Sequence, residues 1–357
     1  MKGYKGFNPG LECRGKQYAE NTVFEEDSAT ICSKGMHFCQ NPFDVLDHYD
    51  LVREDGSFND FAEVEALADT DTDDNKKYCT TKLKVGAKLG ISGFIKACID
   101  FVLEKTTKDM PDTNIDSGNY AQIGSSGNYA QIGSSGNYAQ IGSSGNYAQI
   151  GSSGDSAQIG SSGYYAKIGS SGNYAQIGSS GDSAKIGSSG NYAKIGSSGY
   201  SAQIGSSGDS AKIGSSGDSA KIGSSGNYAQ IGSIGNYAQI GSSGDYAQIG
   251  SSGDSAKIGS SGNYAKIGSS GDSAQIGSSG NYAQIESTGE DSVICCAGHN
   301  SVVKAKKGSW ITLSEWNYDE TKGRYVPVCV KTEFVDGERI KADVFYKLKN
   351  GEFAEIG

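Results

Sequence analysis

Three cysteines and a histidine, Cys13, Cys32, His37 and Cys39, fall within 27 residues. Three thiols and an imidazole are a ligand set that could hold zinc tetrahedrally. There is no Cys-x-x-Cys pair among them, however, and the spacing from Cys32 to Cys39 is loose. Buried free thiols are the plainer reading, and no metal is expected. Cys295-Cys296 is a vicinal pair read as a packing filler rather than a redox centre. No nucleophile elbow, Walker loop or dinucleotide fingerprint occurs, so neither catalytic residue nor cofactor is expected. The recurring Gly-Ser-Ser-Gly lacks the trailing Lys-Ser/Thr of a phosphate loop.

The residues most able to do something at a surface are tyrosines, and they come in a period. From Gly118 to Thr288 the chain is nineteen copies of Gly-(Asn/Asp)-(Tyr/Ser)-Ala-(Gln/Lys)-Ile-Gly-Ser-Ser, with Ala and Ile unbroken. Two decayed copies follow from Gly289 and Gly298, where Ile294 and Val303 keep the isoleucine phase. Taking every second copy, the aromatic position reads Tyr120, Tyr138, Ser156, Tyr174, Tyr192, Ser210, Tyr228, Tyr246, Tyr264 and Tyr282, eight Tyr in ten. The other set, from Tyr129 to Ser273, has four Tyr in nine. Such a bias fits two non-equivalent sides of an 18-residue coil. The eight tyrosines are the expected contact surface for a protein partner or a second copy. Tyr offers wide apolar area, a hydroxyl and few torsions to freeze.

The elements that must position this row follow from alternation. In Tyr120-Ala121-Gln122-Ile123, Ala and Ile share one side of a short strand and Tyr and Gln the other. Gly-Ser-Ser-Gly would then form the corner. One unit cannot bury its Ile, but stacked units can, so residues 118–306 read as a parallel β-solenoid of two nonapeptides per coil. Calcium-binding nonapeptides need a Gly-Gly-x-Gly-x-Asp that is missing here, and ice binding would want rows of small hydroxyls.

Residues 1–108 read as a small α+β domain. Asn41-Pro42 caps a short helix to His48; Glu63 to Leu67 and Lys76 to Val85 are strands; Ser92 to Lys105 is an amphipathic helix. Residues 109–117 link or cap the first coil. Residues 307–357 alternate as strands Ser309–Trp316, Tyr325–Val335, Ile340–Leu348 and Phe353–Ile356, a β-meander cap with hairpin turns at Asp336-Gly337 and Asn350-Gly351.

The whole chain bounds the partners. Its 357 residues carry 53 Gly, four Pro and 36% apolar residues, with a net charge of −10. The repeats are nearly neutral, with seven Lys against seven Asp and Glu286, which argues against a nucleic-acid surface. No apolar run is long enough to cross a membrane and no secretory h-region opens the chain, so a cytoplasmic protein with reduced thiols is expected.

The segments Met1-Lys-Gly-Tyr-Lys-Gly-Phe7, Cys13-Arg14-Gly15, Cys32 to Cys39 and Asn41-Pro42-Phe-Asp-Val45 resemble the start of an uncharacterised family common in bacteriophages, prophages and gut bacteria. Its members often carry Ser/Gly-rich nonapeptide arrays, and Lys306 to Glu355 is similar to their C-terminal end. The resemblance implies phage or prophage origin and no known reaction. A weaker resemblance, on Tyr4-Lys5-Gly6 and on Gly35 to Phe38 followed by Val45 and Tyr49, touches ADP-ribosyltransferase-like folds. Their His-Tyr-Glu set is not placed on this chain. The expectation is a non-enzymatic scaffold or binding protein, with an enzyme in residues 1–108 as the alternative.

Overall fold

The computed structural model describes residues 1–31, 33–51, 53, 58–105 and 113–356. It is mostly β: a parallel β-solenoid of about eleven 18-residue turns, with a small N-terminal domain and a C-terminal strand cap. The chain divides into two compact units, Met1–Ile186 with Lys194–Gly199, and Gly187–Ala193 with Tyr200–Gly357.

In the first unit, β1 (Lys2–Phe7), β2 (Glu12–Cys13), β3 (Lys16–Gln17), β4 (Thr22–Glu25), β5 (Met36–Cys39), α1 (Pro42–Val45), β6 (Asp60–Ala66), β7 (Thr70–Asp71), β8 (Lys77–Thr80), β9 (Lys82–Leu89) and α2 (Ile91–Lys105) build the N-terminal domain. Seven strands form an antiparallel sheet in the order β4-β9-β6-β1-β5-β8-β7, while β2 and β3 pair as a separate hairpin. The strand expected over Lys76 to Val85 is two, because β8 pairs with β5 and β9 with β6. α1 begins as expected, with the Asn41 side chain accepting from the Phe43 N–H at 3.1 Å, but it stops at Val45.

The apolar stripe of α2 is buried on two sides. Phe94, Cys98 and Val102 join Phe43, Leu46, Leu51 and Phe61 in a core cluster. Ile95, Ile99 and Val102 lie against the strand glycines Gly178, Gly160 and Gly142 of three successive coils. A Cβ added to those glycines would stand 3.0–3.2 Å from the helix side chains, so only glycine lets the helix approach this closely. The linking segment 106–112 lies outside the described residues. Thr113–Asp116 is already a solenoid strand, pairing in parallel with Gln131–Ser134.

The repeats pair in register across 18 residues: Gln122↔Gln140, Ile123↔Ile141, and in the second unit Ile231↔Ile249 and Ile240↔Ile258. This is the expected two-unit coil. The strand within each copy is shifted two residues from the expected one, however: it is Gln122–Ser125, not Tyr120–Ile123. Ala121, Ile123 and Ser125 point inward and are all buried. Each buried Ile removes apolar surface worth roughly 1.5–3 kcal/mol. The first Ser after Gly, expected in the corner, is therefore part of the core. At Ser134 the hydroxyl accepts from the Gly136 N–H at 3.2 Å, whereas at Ser143, Ser152 and most later copies the buried hydroxyl has no hydrogen-bond partner among the described residues.

In the second unit the decayed copies keep the core, with Ile294, Cys296 and Val303 buried. The cap is two hairpins on two sheets rather than one continuous meander. Trp310–Asp319 extends one sheet in parallel from Val293–Cys296 and turns back as Arg324–Phe334. Phe345–Lys349 extends the other beside Val302–Lys304 and turns at Asn350-Gly351 into Glu352–Ile356. Asn350 and Gly351 both take positive φ, 54° and 73°, as a tight hairpin turn requires. Asp336-Gly337 instead carries the chain from one sheet to the other. The Asp336 carboxylate accepts from the Glu338 and Ile340 N–H groups there.

Candidate functional site

The tyrosine row sits at a corner of the coil, not on a strand face. Tyr120, Tyr138, Tyr174, Tyr192, Tyr228, Tyr246, Tyr264 and Tyr282 all take left-handed backbone, with φ between 57° and 61°. That conformation costs an ordinary residue about 1–2 kcal/mol. Hydrogen bonding to the next coil holds it. The Tyr228 N–H donates to the Asp245 carbonyl, Tyr246 to Asn263, Tyr264 to Asn281 and Tyr282 to His299, each at 2.8 Å.

The neighbouring Asn/Asp position forms a second ladder. The Asp245 N–H donates to Asn227 Oδ1 at 2.9 Å, Asn263 to Asp245 at 2.7 Å, Asn281 to Asn263 at 3.0 Å and His299 to Asn281 at 2.9 Å. Asn and Asp are thus chosen for a side-chain oxygen that accepts from the coil above, and a charge is not needed for it. The corner glycine closes the turn. A Cβ on Gly244 would fall 2.0 Å from the Gly226 carbonyl oxygen.

This frame stacks the rings. Tyr228–Tyr246, Tyr246–Tyr264 and Tyr264–Tyr282 have centroids 4.8–5.0 Å apart and planes within 6°. In the first unit Tyr120 stacks on Tyr138 at 5.0 Å. The less favoured corner stacks too, Tyr129 on Tyr147 and Tyr147 on Tyr165. Stacking covers both ring faces of Tyr246 and Tyr264, yet Tyr228 stays 57% and Tyr282 43% exposed. Three residues beyond the nineteen copies, missed by sequence reasoning, continue the run: Tyr282 meets His299 edge-on at 5.6 Å, His299 stacks on Tyr325 at 4.1 Å, and Tyr325 meets Tyr318 edge-on. His299 keeps the Asn/Asp position of the decayed copy from Gly298, 18 residues after Asn281, so the repeat phase could have found it; Tyr318 and Tyr325 lie beyond the repeat, where no periodicity marks them.

The second candidate is a cleft of about 950 Å³ in the N-terminal domain, lined by Lys5, Cys13, Arg14, Tyr18, His37 and Tyr49 among others. β1 supplies Lys5, the β2–β3 hairpin Cys13, β5 His37 and the chain after α1 Tyr49. Lys5 Nζ donates to the His37 carbonyl at 3.0 Å and lies 3.4 Å from Cys13 Sγ, whose other neighbour is the Tyr49 hydroxyl at 2.9 Å. The Phe7 and Tyr18 rings face the same ammonium position at 5.2 and 5.7 Å. Burial pulls the Lys5 pKa below its ordinary value, which the Cys13 sulfur only partly opposes. Burial, then the charges of Lys5, Arg14 and Lys77, holds His37 low as well. Burial, helped by the bond to Cys13, raises the Tyr49 phenol, and burial with Asp44 nearby pushes the Cys39 thiol up to about 12.

Of the four residues weighed as zinc ligands, Cys32 lies outside the described residues. Among the described residues no three His, Cys, Asp or Glu side chains gather as a metal set. Nothing in the sequence singled out Lys5, since a lysine in an alternating strand reads as solvent-facing.

The fold is that of a β-solenoid repeat protein, an architecture that fits a structural or binding role. Residues 1–97 match the model of a domain of unknown function, DUF7666. No curated protein and no solved structure matches the chain.

Proposed function

We propose that the protein is a non-enzymatic scaffold or binding protein whose solenoid presents a Tyr/Gln/Lys surface to a protein partner or to a second copy, in the cytoplasm of a host cell. The observation that carries this reading is the ladder Tyr228–Tyr246–Tyr264–Tyr282, whose stacked rings stay about half exposed. Proteins rarely keep a contiguous apolar stripe of this kind at the surface without use for it. A phage or prophage origin, with a host-defence protein as the partner, is the biological setting that the family resemblance implies.

The test replaces Tyr228, Tyr246, Tyr264 and Tyr282 together by Ser, the residue already standing at Ser210, Ser219, Ser255 and Ser273 with the same left-handed φ. Circular dichroism should be unchanged, while self-association in the ultracentrifuge and partner capture from host lysate should fall at least tenfold. Unaltered association and capture would make the row purely structural.

A second reading, an ADP-ribosyltransferase-like enzyme, has one observation in its favour: His37 and Tyr49 line a single cleft. Label transfer from NAD to lysate proteins that is lost in His37→Ala and Tyr49→Phe would favour it over the first.

A further inference from the structure

The amine–thiol pair in the N-terminal cleft is used by neither reading. Lys5 is 5% exposed, and its contacts among the described residues are the His37 carbonyl, Cys13 Sγ and the Phe7 and Tyr18 rings. None is a carboxylate. A lysine buried without an acidic partner is costly to keep charged, and burial lowers the Lys5 pKa from its ordinary value. Its nitrogen stands 3.4 Å from the Cys13 sulfur, and both residues line the cleft.

We propose that Lys5 and Cys13 form a peroxide-responsive modification site, at which oxidation of the thiol ties the two side chains together through a nitrogen–sulfur bond. In the first step the Cys13 sulfur attacks hydrogen peroxide. The O–O bond breaks, an S–O bond forms, sulfur is oxidised to the sulfenic acid and peroxide is reduced, leaving as water with the thiol proton. In the second step the Lys5 nitrogen attacks that sulfur. An S–N bond forms, the S–O bond breaks, and the hydroxyl leaves as a second water with a proton from the amine. The Tyr49 hydroxyl, 2.9 Å from the sulfur, is placed to donate to the departing oxygen. Condensation of a sulfenic acid with nitrogen is established chemistry for backbone amides. Here a side-chain amine takes that place, on a flexible stem that can close the remaining gap. The link would fasten β1 to the β2–β3 hairpin and remove both nucleophiles from the cleft.

Peptide mapping of the full-length protein decides the matter. After mild peroxide treatment and digestion with trypsin, the expected product is the peptide Gly3–Arg14, uncut at Lys5 and lighter by two hydrogens. It should be lost on treatment with dithiothreitol and absent from Lys5→Met. Normal cleavage at Lys5, with Cys13 recovered as thiol, disulfide or sulfinic acid while the exposed Cys295 is oxidised, would overturn the proposal. The wild-type result stands alone if Lys5→Met fails to fold.

Discussion

Left-handed backbone is an expense that the repeat meets at its Tyr and its Ser corners alike, and the surrounding ladder bonds explain why it persists. The corner glycine is the stricter requirement. Gly244→Ala would drive a Cβ to 2.0 Å from the Gly226 carbonyl oxygen, which the ladder above and below keeps from retreating. We expect a loss of about 3 kcal/mol. Gly241→Ala, three residues away on the outer strand face with nothing within 4 Å, should be neutral or stabilising by about 0.5 kcal/mol. In urea melts followed by circular dichroism the midpoint should fall for Gly244→Ala and hold or rise for Gly241→Ala. Equal shifts would remove the steric account of the corner.

Among the elements, α2 shows how one apolar stripe can serve two partners. Phe94 and Cys98 face the core of the N-terminal domain, Ile95 and Ile99 face the solenoid glycines, and Val102 touches both. The strand glycine is permissive in open coils and obligatory under the helix. Gly160→Val should therefore lift α2, whose Ile99 already lies 3.1 Å from the added Cβ, while leaving the repeat ladders paired. The expected result is faster proteolysis within residues 91–105 and a melting temperature lowered by several degrees. Gly259→Val, on an open strand, should do neither. Resistance of Gly160→Val to protease would show that the helix contact adds little.

At the scale of the whole molecule, each coil is bonded to its neighbours 18 residues away, so stability should follow from adjacent coils rather than from coil number. Deleting Gly226–Ser243 joins Ser225 to Gly244 and leaves the consensus and both ladders in phase. Circular dichroism per residue should be preserved and the melting temperature should change by only a few degrees. Deleting nine residues instead would move the downstream strands to the opposite sheet and the Tyr246–Tyr264–Tyr282 stack to the opposite corner. Collapse of the 18-residue deletion would contradict the nearest-neighbour account.

The sequence by itself determined the solenoid, its 18-residue period, the inward Ala and Ile, the exposed tyrosine row and the amphipathic helix. Each is written in a local repeat or spacing that backbone geometry reads the same way everywhere. The strand's phase within the repeat was not determined in this way. Tyr-Ala-Gln-Ile and Gln-Ile-Gly-Ser alternate equally well, and only stacking, through the Asn/Asp ladder and the corner glycine, puts Tyr in the turn and Ser in the core. The cap likewise splits into two hairpins because two sheets end there, each offering an edge. Lys5, Cys13, His37 and Tyr49 come from four separate segments, and no spacing along the chain announces that a sheet, a hairpin and a helix end bring them to one cleft.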